Sequence, residues 1–349
     1  MHASAKLLFA FTVLFSVSKV AAECTRFSTN GSTAATYQFH RFYDFRNLHE
    51  SLSRIATSTS LNDAIPNSAS SKIISAAPWG SGWNARKWFR PAPRKDTVDM
   101  QYTPSSISIS EVSEPSQEDS TCLSLHTTRL PNGTQLASEL QFTEYNVTYA
   151  SIRMSARIHG VSGAIAGFFT YRNDTAESDI ELPTGGAANS VHFSNQPTTN
   201  PSTDAPIQGS TFNVSLSADQ PTSTWNNYRL DWVKGRSAWY VNGVQSADTE
   251  VNVPDAESMI ILNLWSNGGN FSGRMDTGGE AWFDIQWVEL LFNATAGSEV
   301  QYDETACSVE SSLGSPVPNA SPAPCWWLSA SRFWWMIGMA SVASLTVCV

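Results

Sequence analysis

The sequence predicts an all-β protein built as a sandwich, and three observations carry that reading. No long helical period runs through the body of the chain, whereas short stretches alternate at the period of a strand. Ile152, Met154 and Ala156 alternate with Arg153, Ser155 and Arg157, and Phe283, Ile285 and Trp287 oppose Trp282, Asp284 and Gln286. Turn signals punctuate these stretches: residues 228–233 and 237–241 flank Lys234-Gly235-Arg236, a hairpin signature. Many short strands joined by turns make a sandwich.

Residues 1–22 read as a secretory signal peptide. Lys6 supplies the positive lead, residues 7–17 an apolar run too short to span a membrane, and Val20-Ala21-Ala22 a small-residue cleavage site. Residues 23–300 are expected to form one domain, since sandwiches of this size are commonly undivided. Within it, residues 56–77 are rich in Ser, Ala and Asn and lack strong periodicity, and residues 104–120 read as turn and surface. Between them stands Trp79-Gly80-Ser81-Gly82-Trp83, followed by Arg86, Lys87, Trp88, Arg90, Arg94 and Lys95. Two readings stay open there: a loop that roofs a groove with Trp faces, or an aromatic-pinned loop packed on the sandwich. Residues 163–171 read as a buried strand.

Residues 301–321 are expected to be a Ser/Pro-containing linker and residues 322–349 a second address. Asn319-Ala320-Ser321 is a small-residue trio, residues 322–332 a spacer, and residues 333–349 an uncharged, mostly apolar tail. That order is read by glycosylphosphatidylinositol (GPI) attachment. A C-terminal membrane span, the competing reading, would have to run through Trp326 and Trp327 and across Arg332. The expected location is the cell surface, secreted and tethered to the membrane by the lipid.

A formal charge of −10, with charged residues at only 15%, argues against nucleic-acid or anionic-membrane partners, which call for basic patches. It suits an uncharged polysaccharide. Of the five cysteines, Cys325 and Cys348 would leave with the attachment signal, so Cys24, Cys122 and Cys307 remain: one bridge and one free thiol. Cys24 and Cys307 bracket the domain, and a sandwich often brings its termini together, which favours that pair over Cys24–Cys122. No Cys-x-x-Cys spacing is present, and no metal ligand set is assigned. Asn-x-Ser/Thr sequons at Asn30, Asn132, Asn146, Asn173, Asn213, Asn270, Asn293 and Asn319 fit a glycosylated surface. Asn173 lies four residues before Glu177, where a glycan would crowd a cleft, so poor occupancy is expected there.

The chemistry concentrates in Glu177-Ser178-Asp179-Ile180-Glu181. On a strand the three carboxylates share one face, and Ser178 and Ile180 share the other. Acids are poor strand formers, and three abreast repel one another. Glycoside hydrolysis uses such a set: one carboxylate on the anomeric carbon and one carboxylic acid on the leaving oxygen, about 5–5.5 Å apart when configuration is retained. The backbones of Glu177 and Glu181 are about 13 Å apart along a strand, a gap that two Glu side chains can largely close. Crowding also splits their titrations, so that one holds a proton while its neighbour is ionised. A solvated acidic edge or a cation site is the plainer alternative, although consecutive strand positions spread their oxygens rather than wrapping an ion.

These residues, preceded by Gly167-Phe168-Phe169-Thr170-Tyr171, resemble the active-site strand of glycoside hydrolase family 16, above all its fungal extracellular members. Residues 191–197, 228–232, 239–243 and 262–268 are similar as well. The resemblance implies a β-jelly-roll sandwich of the concanavalin A-like lectin/glucanase type. It also implies retaining cleavage or transfer on β-glucans, with Glu177 as nucleophile, Asp179 as helper and Glu181 as acid/base. His192, Asn195 and Gln196 are carried over as polar sugar contacts. Trp225 and Trp265 are the stacking candidates, and Trp232, Trp239 and Trp287 are expected in the core. No cofactor is required by this chemistry, a structural calcium is allowed by the resemblance, and a monomer is expected. Ser178 departs from the aliphatic residue that many members carry. A non-catalytic glycan-binding sandwich, a structural wall glycoprotein and a wall transglycosylase are the other readings.

Overall fold

The computed structural model describes residues 24–48, 82–112, 121–186, 189–295, 306–310 and 313–315. The expected signal peptide, the attachment signal, Trp79 and most of the expected linker lie outside those residues.

Strands β1 (Arg26–Ser28), β2 (Thr36–Tyr37) and β3 (Phe39–Asp44) open the chain. The stretch that looked least regular contributes β4 (Trp83–Ala85), β5 (Trp88–Arg90), β6 (Met100–Tyr102) and β7 (Ile107–Glu111). The expectation of mere turn and surface at residues 104–120 is therefore corrected at β7. Ile107 and Ile109 alternate with Ser108 and Ser110 and bury their side chains completely, a period-2 signal hidden by the serines.

The body continues through β8 (Thr121–Arg129), β9 (Gln135–Phe142), β10 (Val147–Gly160), β11 (Ile165–Asn173) and β12 (Ala176–Pro183). It is completed by β13 (Ser190–Asn195), β14 (Thr211–Ser215), β15 (Asn226–Val233), β16 (Arg236–Val241), β17 (Val244–Thr249), β18 (Met259–Trp265) and β19 (Glu280–Ala294). Last comes β20 (Ala306–Ser308).

Two antiparallel layers result. The front sheet runs β14-β13-β12-β11-β18-β9-β4. The back sheet runs β17-β16-β15-β10-β19-β8-β7, with β3 pairing the far half of β19. The β8–β9 hairpin joins the layers. Phe168, Ile180, Leu182, Phe193 and Leu262 from the front meet Ile152, Met154, Trp232, Trp239 and Phe283 from the back in one apolar core. This is the all-β sandwich that the alternation predicts.

The reverse face of β10 was expected to meet solvent, yet Arg153 and Ser155 are buried. A small sheet, β2-β1-β20, covers that face. There Arg153 meets Glu310 at 2.8 Å and Glu289 at 3.6 Å, and Arg229 pairs with Asp231 at 2.6 Å. A charge this deep is tolerated because each partner is in turn hydrogen-bonded. Cys24 and Cys307 form a disulfide with Cα atoms 5.6 Å apart, tying β1 to β20. The folded unit thus reaches past residue 300, into the segment assigned to the linker.

Candidate active site

Strand β12 separates its two sets of side chains as a strand must. Ser178, Ile180 and Leu182 point between the sheets and are fully buried. Glu177, Asp179 and Glu181 face outward into a groove of about 570 Å³ on the front sheet. Neighbouring strands bring the groove its other walls: Trp88 and Tyr102 at one edge, Glu139 and Gln141 from β9, Asn263 and Trp265 from β18, Phe169 and Tyr171 from β11.

The pairing register lines these residues up. Glu139, Asn263, Gly167, Glu181 and His192 are successive cross-strand partners, forming one row across five strands. A second row places Asp179 between Phe169 and Ser194. Gly167 is required where it stands. A Cβ there would lie 2.6 Å from Asn263 Oδ1, so any larger residue would displace a groove side chain.

Asp179 is nearly inaccessible and accepts hydrogen bonds from Ser194 Oγ at 2.7 Å and Gln196 Nε2 at 3.3 Å. Burial comes first in raising all three acids. Glu177 is pushed up to about 11, with the charge of Asp179 and a hydrogen bond to it adding to the effect. Asp179 is pushed up to about 6, held back by hydrogen bonds from Glu177, Ser194 and Gln196. Glu181 stands well above the usual carboxylate range, through burial and then the charge of Asp179. Glu177 and Asp179 therefore hold a proton between them, and Glu181 holds its own more tightly than a free carboxyl does. A proton donor and a carboxylate able to ionise lie on one strand face.

The other expected contacts divide. His192 stands beside Glu181 on the same face, half-buried and edge-on to Phe271 with ring centroids 5.5 Å apart. Burial lowers its pKa, so it is a neutral hydrogen-bonding group. Gln196 reaches the site through Asp179. Trp265 lines the groove and packs on the Met100–Tyr102 cluster.

Asn195 does not face the groove. It is opposite Ser178, fully buried, accepts the Ser178 hydroxyl and donates to the Val251 carbonyl at 2.9 Å. Alternation along β13 sends it inward, so it cannot touch a sugar. Trp225 is also misplaced by the sequence reading. It precedes β15 in the back sheet, where Arg157 lies 4.5 Å from its ring centroid.

Sequence reasoning missed Glu139 and Asn263. Glu139 is pushed up to about 7 by burial, with the Arg86 guanidinium, 4.0 Å away, drawing it back. Asn263 Oδ1 is buried in the groove with no hydrogen-bond partner among the described residues, an acceptor open to a ligand hydroxyl or water. The Asn263-Leu264-Trp265 stretch was noticed, but only its Trp was weighed. For Glu139 the available signal was an acid inside an otherwise uncharged eight-residue strand.

The profile of glycosyl hydrolases family 16 matches residues 99–289, more than half of the 349-residue chain. The chain belongs to that family. Congo red hypersensitive protein 1 of Saccharomyces cerevisiae is 22% identical over 182 residues, 48% of this chain and 34% of that protein. Beta-glucanase of Brevibacillus brevis is 28% identical over 140 residues, 38% of this chain and 50% of that one. The chain thus matches about a third to a half of the length of these curated relatives. Among solved structures, Bacillus licheniformis β-glucanase aligns with a TM-score of 0.49 at 17% identity, over 60% of this chain and 92% of that one. A prokaryotic β-1,3-1,4-glucanase from a mouse hindgut metagenome gives 0.49 at 16%, over 73% and 99%.

Proposed function

We propose that this chain is a retaining, endo-acting glycosidase of cell-surface β-glucan, working through a covalent glycosyl-enzyme intermediate. One observation carries the proposal: three acids on one face of β12, Asp179 buried and Glu177 and Glu181 half-buried, with raised and divided proton affinities, at the floor of an aromatic-walled groove. Glu177 attacks the anomeric carbon while Glu181 gives its proton to the leaving oxygen; Glu181 then takes a proton from the incoming acceptor. Asp179 receives the Glu177 proton as the nucleophile ionises. Trp88, backed by the buried Tyr102 ring, and Trp265 offer apolar ring faces to sugars, and Asn263, Glu139 and His192 face the hydroxyls. A binding module would need the aromatic walls but not three costly acids.

Chemical rescue tests the roles. Glu177→Ala should lose most activity and regain part of it with azide, giving the inverted glycosyl azide. Glu181→Ala should be rescued with retention on substrates bearing good leaving groups. Swapped outcomes would exchange the nucleophile and the acid/base.

The small-residue trio, spacer and apolar tail support GPI anchoring at the cell surface. Phosphatidylinositol-specific phospholipase should release a protein lacking residues 333–349. An intact C-terminus recovered from membranes would instead mean a transmembrane span.

A further inference from the structure

The groove is lopsided about its acids. Among the described residues, its walls lie on β12 or on the side of the sheet that leads through β11, β18 and β9 to β4. On the other side, among the described residues, only β13 and β14 remain, and the pairing register of β14 is with β13 alone. The row that carries Glu139, Asn263, Gly167, Glu181 and His192 continues one step further, from His192 to Asn213. Asn213 is exposed on the groove side of β14, as are Thr211 and Ser215, while Phe212 and Val214 turn to the core. Two strand spacings, about 10 Å, separate it from Glu181.

Asn213-Val214-Ser215 is a sequon. Asn30, Asn132 and Asn270 are exposed sequons too, but they lie in loops, whereas Asn213 stands on the row that carries Glu181 and His192. Asn146 and Asn293 are half-buried, and Asn293 Oδ1 accepts the Gln38 amide at 2.9 Å. Asn173 Oδ1 is engaged by Thr175 N at 3.0 Å and Thr175 Oγ1 at 2.9 Å, in the turn before β12.

We propose that Asn213 carries an N-linked glycan that forms the end wall of the groove on its short side. A β-linked hexose advances by about one strand spacing, so the wall leaves room for roughly two sugar residues beyond the acids. The donor is a lipid-diphosphate oligosaccharide of the secretory pathway. The bond from Asn213 Nδ2 to the sugar C1 forms as the C1–O bond to the diphosphate breaks; the amide gives up one proton and the lipid diphosphate leaves. The inference rests on secretory export and on the glucan reading of the groove.

The full chain, secreted from a eukaryotic host, is compared with Ser215→Ala and Asn213→Gln forms. Both positions are exposed and lie outside the catalytic set. Mass spectrometry of the peptide bearing Asn213 should show a glycan in the natural chain and none in either variant. On β-glucan oligosaccharides of increasing length, both variants should gain severalfold in kcat/KM for those extending more than two residues towards β14, with shorter ones unchanged. Binding of the same series to forms carrying Glu177→Gln should follow the same lengths. A bare Asn213 in the natural chain overturns the proposal, as does an occupied one whose removal leaves the length profile unchanged. Glycan-dependent binding without cleavage of any glucan would support the end wall and refute the catalytic reading. No binding to any form would overturn both.

Discussion

All three acids have a proton affinity raised above that of an ordinary carboxylate, and folding feels that cost. Each has a folded pKa above its unfolded value, which is 4.5 for Glu177 and 3.8 for Asp179. The folded chain then binds more protons than the unfolded one, so stability is fully present below the unfolded values and falls as pH rises. For Asp179 the loss runs from about 3.8 through about 6, and for Glu177 from 4.5 towards about 11. Glu177→Gln removes one raised titration while keeping the shape. Its melting temperature should exceed that of the natural chain at pH 8, by about 2–4 °C for each kcal/mol relieved, and the gap should close towards pH 4. A gap that is constant with pH would mean that the proton is held elsewhere. The stabilised variant should be inactive, since in the proposed mechanism it lacks the carboxylate that attacks the anomeric carbon.

At the scale of the strand, β12 carries two messages on its two faces, and the sequence exposed one better than the other. The acids were legible because nothing but chemistry recommends Glu-x-Asp-x-Glu in a strand. The buried face was harder. Ser178 and Asn195 each look like a departure from an apolar or groove-facing position, yet they are partners in one hydrogen bond between paired strands. Local periodicity cannot show this, because the partner is chosen by register. The same limit hid Glu139 and Asn263, which reach the site only because β9 and β18 lie beside β11 in the fold. It also misplaced Trp225, whose strand belongs to the other layer. By contrast the sandwich class and the groove position of Trp265 followed from alternation and motif, which are local. Ser178→Ile alone should cost about 1–3 kcal/mol, because it leaves the buried Asn195 amide oxygen without its donor. Pairing it with Asn195→Val should recover much of that loss in urea denaturation. Equal losses for the single and double variants would show that the hydrogen bond contributes little.

The whole molecule places its covalent clasp and its chemistry on opposite layers. The Cys24–Cys307 bridge and the charged cluster around Arg153 bind both ends of the folded unit to the back sheet, and the groove opens on the front. That geometry bears on what would accept the sugar from the proposed glycosyl-Glu177 ester, since in that mechanism the three acids serve water and a second sugar equally. The outcome depends on how long an acceptor sugar is held near the reacting carbon. Among the described residues, the acids have aromatic and polar walls from β11, β18, β9, β6 and β5 on one side but only two strands on the other, where His192 packs on Phe271. Phe271 is about half exposed and stacks only loosely on Trp265, with centroids 6.4 Å apart. The short side is the acceptor side in this reading, and it holds a sugar too briefly to outcompete water when acceptor is scarce. Hydrolysis of β-1,3-containing glucan should therefore dominate, with transfer rising at high oligosaccharide concentration. Mass spectrometry of products formed with a labelled acceptor checks this directly. If longer labelled products prevail even at low acceptor concentration, the short side binds sugar better than its walls suggest, and the enzyme is a transglycosylase.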